Sequence, residues 1–289
     1  MKVGFVNIFG RPNAGKSTLL NTLLDEKLAI VSPKVQTTRH RIKGILNSDG
    51  YQVIFSDTPG IIEPKYKLHE KMMLAVKGAL EDADIALLLV DLKENWEDAD
   101  QVFQSLRINA PCIVVLNKTD GCKEDKVAGA TDFFKSKSYC KEVIGISALK
   151  KINTDLLLQR ILTFLPDGEP FFDGDDLTDL PTKFFIGEQI REKIFHLYKE
   201  EIPYHTTVLV TEFKEKSTLI KIVANIIVQR DTQKGILLGE GGKMIKKLGT
   251  ESRIEIEKFL GQKVFLELFV KIRPRWRDSE IMLREYGYQ

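Results

Sequence analysis

The chain has 289 residues, 43% hydrophobic and 29% charged, a globular composition that excludes disordered and fibrous classes and predicts one large domain or two of ordinary size. Its longest apolar run, Ile85–Val90, falls far short of the ~20 residues of a membrane span. The N-terminus MKVGFVNIFG enters a strand pattern with no signal-peptide layout, which predicts a cytosolic address, and Cys112, Cys122 and Cys140 lack the number and spacing of a disulfide framework or a zinc site. The 43 basic and 41 acidic side chains leave +2, which taken whole gives no sign of nucleic acid.

Strand patterns fall at Val3–Phe9, Ile42–Leu46, Gln52–Ser56, Ile85–Val90, Ile113–Leu116 and Val143–Ile146. Helical patterns fall at Lys16–Leu24, Lys67–Ala79, Asp98–Leu106, Val127–Lys135 and Thr154–Leu165. This alternation predicts an α/β domain, a mostly parallel sheet with helices on both faces, over residues 1–170. Pro166–Pro181 then holds three Pro, two Gly and five Asp, so a linker is expected at 171–182. From 183 to 289 the pattern becomes helix (Lys183–Glu200), strand (Thr207–Lys214), strand (Leu219–Gln229), helix (Gly242–Leu248), helix (Glu251–Leu260) and strand (Lys263–Ile272), a small α+β domain. The polar turn Lys214–Thr218 makes the first two strands a hairpin.

The first motif is Gly10-Arg11-Pro12-Asn13-Ala14-Gly15-Lys16-Ser17, the pattern GxxxxGK[ST] between a strand and a helix. Its glycines let backbone N–H groups wrap phosphates, Lys16 reaches the β and γ oxygens, Ser17 offers a hydroxyl to Mg²⁺, and Thr18 completes the phosphate-contacting set. A chance match in a chain of this length is on the order of one in a hundred. Asp57-Thr58-Pro59-Gly60 ends the third strand. There a carboxylate can hold Mg²⁺ and the Gly60 N–H can meet the γ-phosphate. Thr38, with Thr37 second, is the expected switch threonine that closes on Mg²⁺, inside the basic stretch Lys34–Lys43. Asn117-Lys118-Thr119-Asp120 follows the next core strand. The Asp120 carboxylate matches the two donors on one edge of guanine, and leaving it buried without them is costly, so ATP should be rejected. Ser147-Ala148-Leu149, after the last strand, can give a backbone N–H to guanine O6. Singly these are weak signals; in this order, each at a strand end, they predict a GTP site with GDP as product.

The form GRPNAGKS, the stretch Gln36-Thr37-Thr38-Arg39-His40 and the sequence DTPG resemble the Era/TrmE/EngA group of translation-factor-related GTPases. Ile61, after DTPG, has no donor or acceptor and cannot orient water as the glutamine of Ras-like enzymes does. The resemblance implies that hydrolysis is slow or is assisted by K⁺ held partly by Asn13, which would neutralise charge between the β and γ phosphates.

In the second domain, Gly239-Glu240-Gly241-Gly242 sits in the pattern IxxGxGGxxI. Glycines between two helices admit a nucleic-acid backbone, as in the loop of KH domains, and the α-β-β-α-α-β order is that of the type II form. Residues 234–277 carry 11 Lys/Arg against five acids, +6, whereas 1–170 carry +1 and 171–180 carry −4. The overall near-neutrality is therefore a sum over unlike parts. Lys243, Lys246 and Lys247 flank the loop, and Arg273-Pro274-Arg275-Trp276-Arg277 adds an aromatic among cations, read here as a surface for stacking bases and pairing phosphates.

A GTPase domain followed by a KH domain resembles the Era family over essentially the whole chain, through QTTRHR, GEGGKMIKKLGTESRIEIEKFLGQKVFLEL and WRD at 276–278. The resemblance implies a GTP-driven switch that grips the 3′ end of 16S ribosomal RNA during 30S subunit maturation. It also implies a monomer that does not bind DNA, with peripheral association at the inner membrane. Two alternatives stand at this stage. One is an RNA-binding chaperone for which GTP is only a structural ligand, which RNA-stimulated turnover would exclude. The other is a tRNA-modification GTPase of the TrmE type, which should carry a separate modification domain and a C-terminal Cys.

Overall fold

The computed structural model describes residues 1–288; Gln289, the last residue of the expected second domain, lies outside the described residues. The chain forms two compact units, one of Met1–Pro64 and His69–Asp179, the other of Lys65–Leu68 and the chain from Leu180 onward.

The first unit runs β1 (Lys2–Gly10), α1 (Lys16–Leu24), β2 (Ile42–Ser48), β3 (Tyr51–Asp57), α2 (Lys67–Glu81, in this unit from His69), β4 (Ile85–Asp91), α3 (Trp96–Ser105), β5 (Cys112–Asn117), α4 (Glu124–Lys135), β6 (Cys140–Gly145) and α5 (Thr154–Phe164). The strands form one sheet in the order β2-β3-β1-β4-β5-β6. All neighbours are parallel except β2 and β3, which the tight Asp49-Gly50 turn joins as a hairpin, with Gly50 at φ +94°. Alternation along the strands buries both faces. Phe9, Leu88, Val90, Val114 and Leu116 enter one cluster with Val76 and Ala79 of α2, Ala99 and Phe103 of α3, and Ala130 and Phe134 of α4. The intervening Ile8, Leu87, Leu89, Ile113 and Val115 are equally buried on the other face, where α1 lies against β1, β2, β3 and α5. With β1 central, the loops after β1, β3 and β5 open at the same end of the sheet, where ligands of such folds bind.

The segment expected as a linker is tied down over 171–179. Gln52 on β3 accepts from the N–H groups of Phe171 and Phe172 (2.7 and 3.1 Å) and donates to the Phe172 carbonyl (2.9 Å). The Ile45 N–H donates to the Leu177 carbonyl (2.8 Å), Thr178 Oγ1 to the Lys43 carbonyl (2.7 Å), and Lys43 Nζ pairs with Asp179 (2.8 Å). This stretch covers the exposed edge of β2, a standard need of edge strands.

The second unit runs α6 (Thr182–Leu197), α7 (Ile202–His205), β7 (Thr207–Glu215), β8 (Ile220–Val228), α8 (Asp231–Leu238), α9 (Lys243–Leu260), β9 (Val264–Ile272) and α10 (Glu280–Glu285). The sheet order is β7-β8-β9, antiparallel then parallel. Ile186, Ile190 and Ile194, one helical stripe of α6, pack with Ile222, Ile226, Leu237, Leu248 and Ile256. The helix positions differ from expectation: α7, α8 and α10 are additional, and one long helix stands in place of two. The stretch 243–260 is one helix rather than two, because Leu248, Ser252 and Ile256 keep one buried face across Gly249. The other helix of the pair is α8, whose start is held by Gln233 Oε1 accepting from the N–H groups of Gln229 and Arg230 (3.0 and 3.2 Å). No helix among the described residues is long and apolar enough to cross a membrane.

Candidate functional site

A cleft of about 470 Å³ opens at the carboxyl ends of β1, β3 and β5, within the size range of small-ligand sites. Gly15 takes φ +102°, and a Cβ there would lie 2.3 Å from Asn117 Nδ2, so glycine is required by conformation and by space. A Cβ on Gly60 would meet the backbone of Pro12 at 2.9 Å, which places the DxxG loop directly against the phosphate loop. Lys16 is buried, and its ammonium donates to the Gly10 and Arg11 carbonyls (3.0 and 2.9 Å). Burial pushes its pKa down to about 8 against the pull of the Asp57 and Glu94 carboxylates. The Arg11 side chain turns away from the cleft lining to Asp98 and Glu94 (3.2 and 3.6 Å).

Ser17 Oγ lies 2.6 Å from Asp57 Oδ2, and Thr38 Oγ1 lies 2.8 Å from Ser17 Oγ and 3.1 Å from the same carboxylate oxygen. Asp57 is fully buried and its Oδ1 has no hydrogen-bond partner. Burial pushes its pKa up, opposed by Lys16, Ser17 and Thr38. Two hydroxyls and a carboxylate with an unsatisfied buried oxygen form the donor set of a hard divalent cation, so the residues present fit Mg²⁺. Thr37 Oγ1 instead donates to the Lys34 carbonyl (2.8 Å), which leaves Thr38 as the threonine of the cluster. The Ile61 N–H donates to the Gly10 carbonyl (3.3 Å), and its side chain packs against the apolar cluster beneath the sheet rather than lining the cleft.

Asn117 joins the two ends of the cleft. Its Nδ2 donates to the Ala14 carbonyl (2.8 Å), and its Oδ1 accepts from the Ala148 N–H (3.0 Å). Lys118, at φ +66°, reaches the Asn13 carbonyl (2.9 Å) and Asp91 (2.5 Å). The expectation of a buried Asp120 needs correction. Asp120 is exposed at the cleft mouth because it sits on a single 3₁₀ turn after β5, and only a ligand would cover it. The neighbouring Ser147 hydroxyl holds its carboxyl below the usual range. Leu149 lines the same mouth and is 76% exposed. Sequence reasoning missed the segment Ile30–Pro33, Gln36 and Lys93 as cleft walls. No residue-type rule marks them, although Ser32-Pro33 just before the threonines is a loop signal.

In the second unit, Gly239 (φ +69°) packs so closely that a Cβ would lie 2.6 Å from Met244 Cγ. Gly241 and Gly242, at φ +57° and +76°, face open space, so a polymer backbone can approach them closely. Glu240, Lys243, Lys246 and Lys247 are exposed around this turn, as are Arg273 and Arg275 beyond β9. Trp276 is the correction: its ring is fully buried, its Nε1 donates to the His205 carbonyl (3.0 Å), and Tyr286 and Tyr288 pack on it. It cannot stack on a base because the C-terminal turn folds over it. Arg277 lies beside Gln229, whose amide oxygen, suitably turned, accepts from its Nε and Nη2 (2.6 and 3.0 Å), so it too has a structural partner.

A family model described as 50S ribosome-binding GTPase matches residues 5–118, and one described as KH domain matches 201–277. The chain is 43% identical to the GTPase Era of Thermoanaerobacter sp. (strain X514) over 99% of its length and 96% of the relative's. It is 44% identical to that of Geobacter sp. (strain M21), over 99% and 97%. Among solved structures, a point variant of Aquifex aeolicus Era bound to GDP and AlF4⁻ matches with a TM-score of 0.96 at 41% identity, covering 100% of this chain and 99% of that one. An Era structure in complex with MgGDPNP and nucleotides 1506–1542 of 16S ribosomal RNA matches with a TM-score of 0.95, also at 41% identity and with the same coverage. With the phosphate loop, the Ser17–Thr38–Asp57 cluster and the glycine turn on one chain matched from end to end, the protein belongs to the Era family of GTPases.

Proposed function

We propose that this GTPase is a switch that binds the 3′ end of 16S ribosomal RNA through its second unit and acts in assembly of the small ribosomal subunit. The observation that carries this reading is the closed Ser17–Thr38–Asp57 cluster beside the cleft, on a chain that also presents the open glycine turn Gly241–Gly242. The match to an Era structure holding both MgGDPNP and 16S RNA supports it.

In this reading the backbone N–H groups of Gly10–Thr18 cradle the β and γ phosphates, the Lys16 ammonium pairs with them, and the Gly60 N–H meets the γ-phosphate. Ser17, Thr38 and Asp57 would hold Mg²⁺, which neutralises charge on the phosphates when bound. Asp120 takes the two guanine donors and excludes adenine, while Asn117 keeps base and phosphate ends in register. No side chain at Ile61 orients the attacking water. Asn13 donates its amide N–H to the Pro33 carbonyl (3.0 Å), which leaves its amide oxygen as the group that would hold K⁺, whose charge would offset that of the phosphates. Turnover is then faster in KCl than in NaCl, and equal rates would remove that role.

The glycine turn admits the RNA backbone, and Lys243, Lys246, Lys247, Arg273 and Arg275 pair with phosphates. The reading places the chain in the cytoplasm as a monomer, with a peripheral station at the inner membrane. Its test is GTP hydrolysis with and without an RNA of the 16S 3′ end. Stimulation by that RNA, and not by tRNA, is expected; identical rates would favour a chaperone in which GTP is a structural ligand.

A further inference from the structure

Arg41 stands three residues after Thr38, immediately before β2, and its guanidinium is heavily engaged. Nη1 donates to Asp82 Oδ2 (2.6 Å) and Nη2 to Asp82 Oδ1 (2.9 Å), a bidentate pair. Nε and Nη2 both reach Ser56 Oγ (3.0 and 2.9 Å), and Nη2 also reaches Asn7 Oδ1 (3.3 Å). Asn7 lies within β1, and its Nδ2 donates in turn to the Ala79 carbonyl and to Asp82 Oδ1. Ser56 immediately precedes Asp57 on β3, and Asp82 immediately follows α2. One side chain thus joins the start of β2 to β1, to β3 beside the carboxylate of the cleft, and to the end of α2.

The geometry matters because of chain reach. Three residues span at most about 10 Å when fully extended. A held Arg41 therefore fixes the small region from which Thr38 can approach Ser17 and Asp57. A basic residue serving only to solvate a loop would show no such convergence, and the partly exposed Arg41–Asp82 pair alone would be worth little.

We propose that Arg41 is a positioning residue for GTP: its clamp onto Asp82, Ser56 and Asn7 fixes the C-terminal hinge of the switch segment, delivers Thr38 to the cation and γ-phosphate end of the cleft, and so sets the preference for GTP over GDP. The inference rests on the reading of Thr38 as the switch threonine that closes on Mg²⁺ beside the γ-phosphate.

The test compares GDPNP and GDP dissociation constants by calorimetry in Mg²⁺ for wild type, Arg41→Ala, Arg41→Lys, Asp82→Asn and Thr38→Ala, with thermal unfolding recorded for each. Arg41→Ala should weaken GDPNP about tenfold and leave GDP within twofold, since GDP lacks the group that Thr38 serves. Arg41→Lys should fall most of the way, because an ammonium cannot form the fork, and Asp82→Asn should shift in the same direction. In the Thr38→Ala background, Arg41→Ala should add nothing further to the GDPNP loss, a non-additivity that general destabilisation would not produce. Parallel weakening of GDP and GDPNP, full additivity with Thr38→Ala, or a lowered Tm with both affinities intact would each overturn the proposal. If Arg41→Ala fails to fold, Asp82→Asn carries the same comparison. Should Thr38→Ala itself leave GDPNP binding unchanged, the reading of the switch threonine fails; should Thr38→Ala weaken it while the Arg41 variants do not, only the role of Arg41 fails.

Discussion

Replacing Asn117 by Ala removes one side chain and disconnects two loops. The Ala14 carbonyl loses its donor at 2.8 Å and the Ala148 N–H its acceptor at 3.0 Å, and both residues are almost completely buried. Each orphaned buried group costs about 1–3 kcal/mol, and relaxation toward the open cleft recovers part of it, so a loss of roughly 3 kcal/mol is expected. For a unit of this size that lowers Tm by about 6–12 °C. A nucleotide must re-form the register between phosphate loop and guanine loop on binding, so GDP affinity should fall about a hundredfold, the equivalent of ~2.7 kcal/mol. Circular-dichroism melting of the nucleotide-free protein and calorimetric titration with GDP read both quantities. A GDP dissociation constant within threefold of wild type, in a variant melting at the wild-type temperature, would refute the bridging role assigned to Asn117.

Ile61→Gln should not accelerate GTP hydrolysis, because that side chain packs into the apolar cluster under the sheet; it should lower stability by about 1–2 kcal/mol, read by urea unfolding. Trp276→Ala should cost about 3–5 kcal/mol in the second unit and disorder the C-terminal turn, whereas Trp276→Phe should keep RNA affinity within a few-fold when both are measured well below Tm. Lys246→Ala and Lys247→Ala should each weaken RNA binding across sequences and reduce the magnitude of the slope of log K against log salt by about one, without altering GDP affinity.

The cleft was readable in the sequence because its chemistry demands particular residue types at fixed spacing. Gly15, Lys16, Ser17, Asn117 and Asp120, each picked out by motif spacing, all line it. The alternation of strands and helices supplied the sheet that brings them together, since apolar strands such as Ile85–Asp91 are buried on both faces. What was not readable depends on distant neighbours. Trp276 among arginines looks like a stacking platform until Tyr286 and Tyr288 close over it. Gly249 looks like a helix break until the stripe Leu248, Ser252, Ile256 is seen to run through it. Gln52 looks like an ordinary strand residue, yet its amide fastens the acidic stretch that composition alone reads as a free tether. Arg41 looks like one more charge in a basic loop, and only its convergence on Asp82, Ser56 and Asn7 separates it from the others.

The central claim is that the nucleotide in the first unit governs RNA held by the second. Its most direct test is the affinity of the full chain for an RNA of the 16S 3′ end, measured by fluorescence anisotropy at one fixed salt concentration with GDPNP and Mg²⁺, with GDP and Mg²⁺, and without nucleotide. Binding at least tenfold tighter with GDPNP than in the other two states is expected, with loss of that difference in Thr38→Ala. Equal affinity in all three states would contradict it.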